Sequence, residues 1–98
     1  MKIVSCNKAE DCLDDDFVFI YHFDTVWTTN YIKIMKQFGA LRYYESFPKP
    51  MFQVSCPDGT VIKGVQSEQT CRVIFPRADH VTAKRNFESH FLETTPWG

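Results

Sequence analysis

With 98 residues the chain has room for one domain, and surface-to-volume scaling lets a chain of this size bury roughly 65% of its unfolded surface. A hydrophobic content of 44%, including nine Phe, four Tyr and two Trp, supplies a core without staples, and 23% charged residues is ordinary for a folded domain, which excludes a disordered chain. The formal net charge of -1 hides an asymmetry: Glu10, Asp11, Asp14, Asp15 and Asp16 carry five of the twelve acids, and the rest of the chain is mildly basic.

In chain order, "MKIVSC" reads as a short strand ended by the polar "NKAED". The acidic stretch that follows completes an N-terminal strand-and-loop segment over 1–16. "DFVFIYHFD" alternates strongly. Phe17, Phe19, Tyr21 and Phe23 line one side and Val18, Ile20 and His22 the other, the pattern of a central strand. From Asp24 the period changes to that of a helix, with Trp27, Tyr31, Ile34, Met35 and Phe38 on one stripe, Asp24 as the preferred N-cap and Gly39 as the stop.

The segment 40–75 turns about "PDGT", where Asp58-Gly59 is expected to form a two-residue type I′ turn that pairs Cys56 with Val61. That register puts Phe52, Val54 and Cys56 on one face with Val61 and Val65. "FPKP" and "SEQT" then fall opposite each other, as the bulge of one long bent hairpin in which "ALRYYES" meets "TCRVIF". After Pro76, Asp79 caps a second helix bearing Val81, Ala83, Phe87, Phe91 and Leu92, and residues 94–98 form a tail. The expected fold is a single α+β domain over 1–98, a small antiparallel sheet with both helices on one face. Its order (β)-β-α-β-β-α is ferredoxin-like, with the N-terminal segment in the place of the closing strand.

The chemistry-bearing residues fit no catalytic template. Cys6, Cys12, Cys56 and Cys71 lack both zinc-knuckle spacing and a C-x-x-C pair, and the acidic loop lacks the glycine turn and distal Glu of a calcium loop. No metal or cofactor is expected. Cys56 and Cys71 read as small buried hydrophobes, whereas the carboxylates around Cys6 and Cys12 make a thiolate scarce there. His22 and Asp24 stand at the junction of the central strand and the first helix, where an acid/base pair is geometrically allowed; a helix cap and a strand-end side chain are the simpler roles.

The longest apolar run, "FVFIY", is far short of a membrane span and the N-terminus lacks a signal peptide's basic and apolar regions, so the expectation is a cytoplasmic protein with reduced thiols and no membrane partner. By elimination, the chain reads as a non-enzymatic protein-binding module, a regulator or inhibitor of a larger assembly. Asp14, Asp15, Asp16 and Trp97 are one set of candidate contacts, and Arg72, Arg77, Lys84 and Arg85 the other, with a protein or a second copy of the chain as partner. The first alternative is a nucleic-acid binder using the basic 72–85 segment, with Phe17, Phe19, Tyr21, Tyr43 and Tyr44 offered to bases, although the RNP1 pattern is absent. The second is a small enzyme or metal protein using His22 and Asp24 or Cys6 and Cys12.

Overall fold

A computed structural model describes residues 2–9 and 17–92, the side chain of Leu92 excepted. Expectations for Cys12, Asp14, Asp15, Asp16 and Trp97 fall outside the described residues.

The elements are β1 (Ile3–Lys8), β2 (Val18–Phe23), α1 (Thr29–Ile34) continued by a 3-10 turn at Met35–Gln37, β3 (Ala40–Tyr44), β4 (Met51–Ser55), β5 (Val61–Val65), β6 (Thr70–Ile74) and α2 (His80–Leu92). The six strands form one sheet in the order β1-β2-β6-β5-β4-β3, with antiparallel pairing throughout. This overturns the ferredoxin-like order. The region expected to be one bent hairpin is a four-stranded meander, because both interruptions reverse the chain. Residues 45–50 include two prolines that cannot donate to a ladder. At the other reversal Glu68 N–H donates to Val65 O, and Ser67 has a φ of 73°, the sign that a type II turn demands at its third position. Consequently "ALRYY" lies at the far edge of the sheet, separated from β6 by two strands.

The β4–β5 turn lies where expected but has a different length. Gly59 N–H donates to Cys56 O and Cys56 N–H to Thr60 O, so Pro57, Asp58 and Gly59 form a three-residue loop. Of these only Gly59 has a positive φ, 97°. Pro57 cannot leave φ near −65°, so it favours a type I turn followed by a left-handed glycine over the two positive φ values of type I′. The extra loop residue shifts the register by one: Val61 pairs with Ser55 and Ile62 with Val54. The core face therefore carries Ile62 and Gly64, not Val61 and Val65. Gly59→Val should cost about 1 to 3 kcal/mol, because a β-branched residue is strained at this φ and its Cβ would also stand 3.2 Å from Pro76. A shift of the urea midpoint at unchanged m-value is the expected readout.

The first helix starts later than its apolar stripe implies. Thr28 is the N-cap, its side chain accepting from Tyr31 N–H, while the Asp24 carboxylate accepts the backbone N–H of Lys2 at 2.9 Å. Trp27 precedes the helix in an extended segment that exchanges backbone bonds with Ser67 and Glu68. In α2, Ala83, Phe87 and Phe91 are buried at successive i, i+4 positions, whereas Val81 is 60% exposed and lies outside the stripe.

Both helices pack on one face of the sheet. The core there is a chain of rings: Phe75 and Phe87, Tyr21 and Phe87, Phe87 and Phe91, Phe91 and Phe23, Phe23 and Trp27, then Trp27 and Phe52. Gly64 makes room for the last of these, since a Cβ there would fall 2.5 Å from the Phe52 ring.

Candidate binding face

The basic segment 72–85 does not form one patch. Arg72 alternates with the buried Cys71 and Val73 and so projects from the face opposite the helices. Arg77 is exposed in the link before α2, and Arg85 is exposed on α2. Lys84 is committed elsewhere: its Nζ donates to Glu88 Oε2 at 2.6 Å and sits 5.1 Å above the Phe19 ring. The four residues are close in sequence but separated by the thickness of the sheet.

Strand register assembles a different set. On the face opposite the helices the pairings Asn7–Ile20, Ile20–Arg72, Arg72–Lys63, Lys63–Gln53 and Gln53–Arg42 join into one row across all six strands. Three cations stand in that row, spanning about 14 Å between the Cα atoms of Arg72 and Arg42 at the usual strand spacing. One flanking row runs from Val18, which is only 3% exposed, through Ile74 and Val61 to Ser55 and Ala40, and on the other side Val65 pairs with Met51 and Met51 with Tyr44. No carboxylate belongs to these three rows, and neither Lys63 nor Arg42 makes an ion pair among the described residues. Tyr44, Met51 and Phe47 are exposed at the β3–β4 end, with the Tyr44 and Phe47 rings 6.1 Å apart. Arg42 and Lys63 escape a reading by sequence proximity, since they lie 30 and 9 positions before Arg72. The signal that finds them is the register of the meander.

The rings proposed for base stacking are on the wrong side. Phe17 stacks on His80 at a centroid distance of 4.1 Å, Phe19 and Tyr21 lie beneath α2, and the Tyr43 hydroxyl donates to Gln66 Oε1. Only Tyr44 of that set is on the face opposite the helices. His22 faces it as well, opposite Ser5 and Thr70, but the Asp24 carboxylate is engaged with Lys2 and no hydrogen bond joins it to the imidazole among the described residues.

Cys6 belongs to a polar network on the helix side. Its thiol is hydrogen-bonded to Tyr21, whose hydroxyl donates to Glu88 Oε2 at 2.7 Å beside Lys84. Burial raises the Cys6 thiol above its ordinary range; the Tyr21 bond and Lys84 oppose this and Glu88 adds to it. Burial likewise raises Cys71, and the Cys6 charge adds to this. The register places Tyr21 between the two cysteines, about 10 Å apart, beyond the reach of a disulfide. Among the described residues no group of three or more His, Cys, Asp or Glu is arranged to hold a metal.

This network has a consequence at high pH. Burial, and then the hydrogen bond to Glu88, raises Tyr21 well above 10.0; burial, and then Asp58, pushes Cys56 from 9.0 up to about 11. The folded state therefore keeps protons that the unfolded chain releases from pH 9 upward, so stability is full below that pH and falls as pH rises through 11. Tyr21→Phe should cost about 1 to 2 kcal/mol at pH 7, where the bond to an ionised carboxylate is lost, and should flatten the decline above pH 10. Urea midpoints at pH 7 and pH 10.5 for both proteins check the sign and the slope.

No described helix is long and apolar enough to cross a membrane. Comparison with protein-family models, curated proteins and solved structures finds no match to this chain.

Proposed function

We propose that this chain is a non-enzymatic protein-binding module, a regulator or inhibitor of a larger assembly, whose sheet face opposite the helices docks an acidic protein surface at its β3–β5 end. The observation that supports the reading is that Lys63 and Arg42, which make no ion pair among the described residues, stand in one cross-strand row with Arg72, beside Val61 on one side and Val65, Met51 and Tyr44 on the other. Cations steer an acidic partner and set its orientation, while the exposed Tyr44, Phe47 and Met51 supply the apolar area that gives a complex its stability. Single-stranded nucleic acid requires rings on which bases stack, and the core takes all but Tyr44 of the sheet aromatics.

The test is affinity capture on the wild-type protein and on an Arg42→Glu/Lys63→Glu variant, followed by titration of the retained partner at several salt concentrations. Loss of two attractive charges and gain of two repulsive ones should weaken binding at least tenfold at low salt, with the difference narrowing at high salt. The variant exposes both new side chains to solvent, so its fold and melting temperature should be unchanged. Equal affinity in the two proteins, or competition by a single-stranded uridine oligonucleotide, defeats the reading.

A further inference from the structure

Lys63 and Arg72 stand directly opposite each other on β5 and β6. Residues in that position hold their Cβ atoms about 5 Å apart, and like charges placed there are destabilising. The two cations border a depression of about 270 Å³, with Met51, Val65 and Thr70 along its other sides. Gly64 and Cys71 pair with each other beneath it; Gly64 has no side chain and that of Cys71 is buried in the core, so the floor is strand backbone. No carboxylate is among the described residues that line it. At this end of the sheet Glu68 is ion-paired with Lys49 at 3.7 Å, Asp24 accepts the backbone N–H of Lys2, His22 pairs with Thr70, and Glu45 follows β3, two strands away from Lys63.

We infer that this depression receives the phosphate of a phosphorylated side chain on the docked protein, held between the Lys63 ammonium and the Arg72 guanidinium. The partner rests on the docking reading above, whereas the phosphate rests on the facing cations. A phosphate monoester carries a charge of about −1.5 to −2 at pH 7 and three acceptor oxygens, so one group offsets both cations; a single carboxylate offsets one and leaves the other opposed. A guanidinium has five N–H donors in a planar fork and an ammonium three, enough to share one phosphate and keep other engagements. The depression lies on the surface of the sheet, where its occupant stays attached to a chain. Met51, and the exposed Tyr44 and Phe47 at the same end of the face, offer apolar surface to the residues on either side of the ester.

Titration of isotope-labelled protein with N-acetyl-O-phosphoserine amide, N-acetylaspartate and inorganic phosphate at low salt, read through backbone amide shifts, tests the assignment. The first two probes are both close to dianionic at about pH 7.5, so charge alone does not separate them. Phosphoserine amide should saturate with shifts centred on residues 51, 63–65 and 70–72 and bind about tenfold more tightly than N-acetylaspartate, the worth of one charge-assisted hydrogen bond. Lys63→Gln and Arg72→Gln should each weaken it about tenfold, while Lys63→Arg keeps it. Without ligand, Lys63→Gln should leave the urea midpoint unchanged or raised, because an opposed charge is removed; this exposed position keeps the test decisive even where Arg72→Gln impairs folding. Absence of saturable binding, shifts centred elsewhere, N-acetylaspartate or inorganic phosphate binding as tightly as phosphoserine amide, or unchanged affinity in the Lys63→Gln variant would each overturn the assignment. The probes need no partner. A negative titration beside a salt-sensitive capture therefore rejects the phosphate and spares the acidic docking surface, whereas a saturable titration beside a failed capture rejects the docking surface and spares the phosphate site.

Discussion

Trp27→Ala is expected to remove about 4 to 7 kcal/mol of stability, enough to leave a domain of this size partly unfolded at physiological temperature. The indole is fully buried, with ring centroids 5.4 Å from Phe23 and 4.8 Å from Phe52, and truncation of such a ring costs about 3 to 5 kcal/mol on its own. Its Nε1–H also donates to Thr70 O at 3.0 Å, so alanine leaves a strand carbonyl without its partner. The position matters beyond the ring. Trp27 N–H donates to Glu68 O and Ser67 N–H to Trp27 O, which ties the approach to α1 onto the β5–β6 turn. Trp27→Phe keeps a ring between Phe23 and Phe52 and loses mainly the Thr70 bond, so it should recover more than half of the loss. Urea denaturation followed by circular dichroism measures both variants. A cost below about 1.5 kcal/mol for the alanine variant would mean that the site collapses and that the indole is not the keystone of the ring chain.

Trp27 also shows which information the sequence carries and which it does not. Its burial is legible in the apolar stripe from 27 to 38, but its conformation is not, because a residue that precedes a helix by one turn falls on the same stripe as one inside it. The choice between Asp24 and Thr28 as N-cap turned on a contact with Lys2, twenty-two positions away. By contrast, β2 and the Ala83, Phe87 and Phe91 face of α2 are local patterns of period 2 and 3.6, and both are found where the pattern puts them. The meander is not legible for a reason internal to the chain: an interruption containing Pro48 and Pro50 is compatible with a bulge or with a reversal.

The same distinction governs the candidate site. Chain proximity groups Arg72 with Arg77, Lys84 and Arg85, whereas the register groups it with Lys63 and Arg42. That register depends on whether Pro57 is counted in the strand or in the loop. A one-residue slip turns every side chain of a strand to the other face, so the two-residue turn expected from Asp58-Gly59 sends Val61 and Val65 inward and Lys63 with them. With Pro57 in the loop, Ile62 and Gly64 go inward and Lys63 joins the row of cations. A single proline thus decides whether Lys63 lies on the helix side or in the row with Arg72 and Arg42.

Gly39→Ala should be among the most damaging single-methyl additions in the chain, at a cost of about 3 kcal/mol or more. The helix-stop reading of Gly39 attributes its presence to conformation, but its φ is not positive, and the reason lies in what stands against it. A Cβ at this position would lie 2.1 Å from Ser55 O, 2.7 Å from Ser55 C and 2.8 Å from Cys56 Cα. All three are backbone atoms, so no rotamer change relieves the contact. The link between the 3-10 turn and β3 must move away from β4, against the pairing of Ala40 with Ser55 and against the turn closed by Cys56 and Thr60. Gly59→Ala supplies the contrast, because Gly59 carries the unusual φ and has only the Pro76 side chain nearby; its cost should be about 1 to 2 kcal/mol. Measured side by side in urea, the Gly39 variant should be the less stable of the two by more than 1 kcal/mol. The reverse order would show that β4 can retreat from the link and relieve the contact with Ser55 and Cys56.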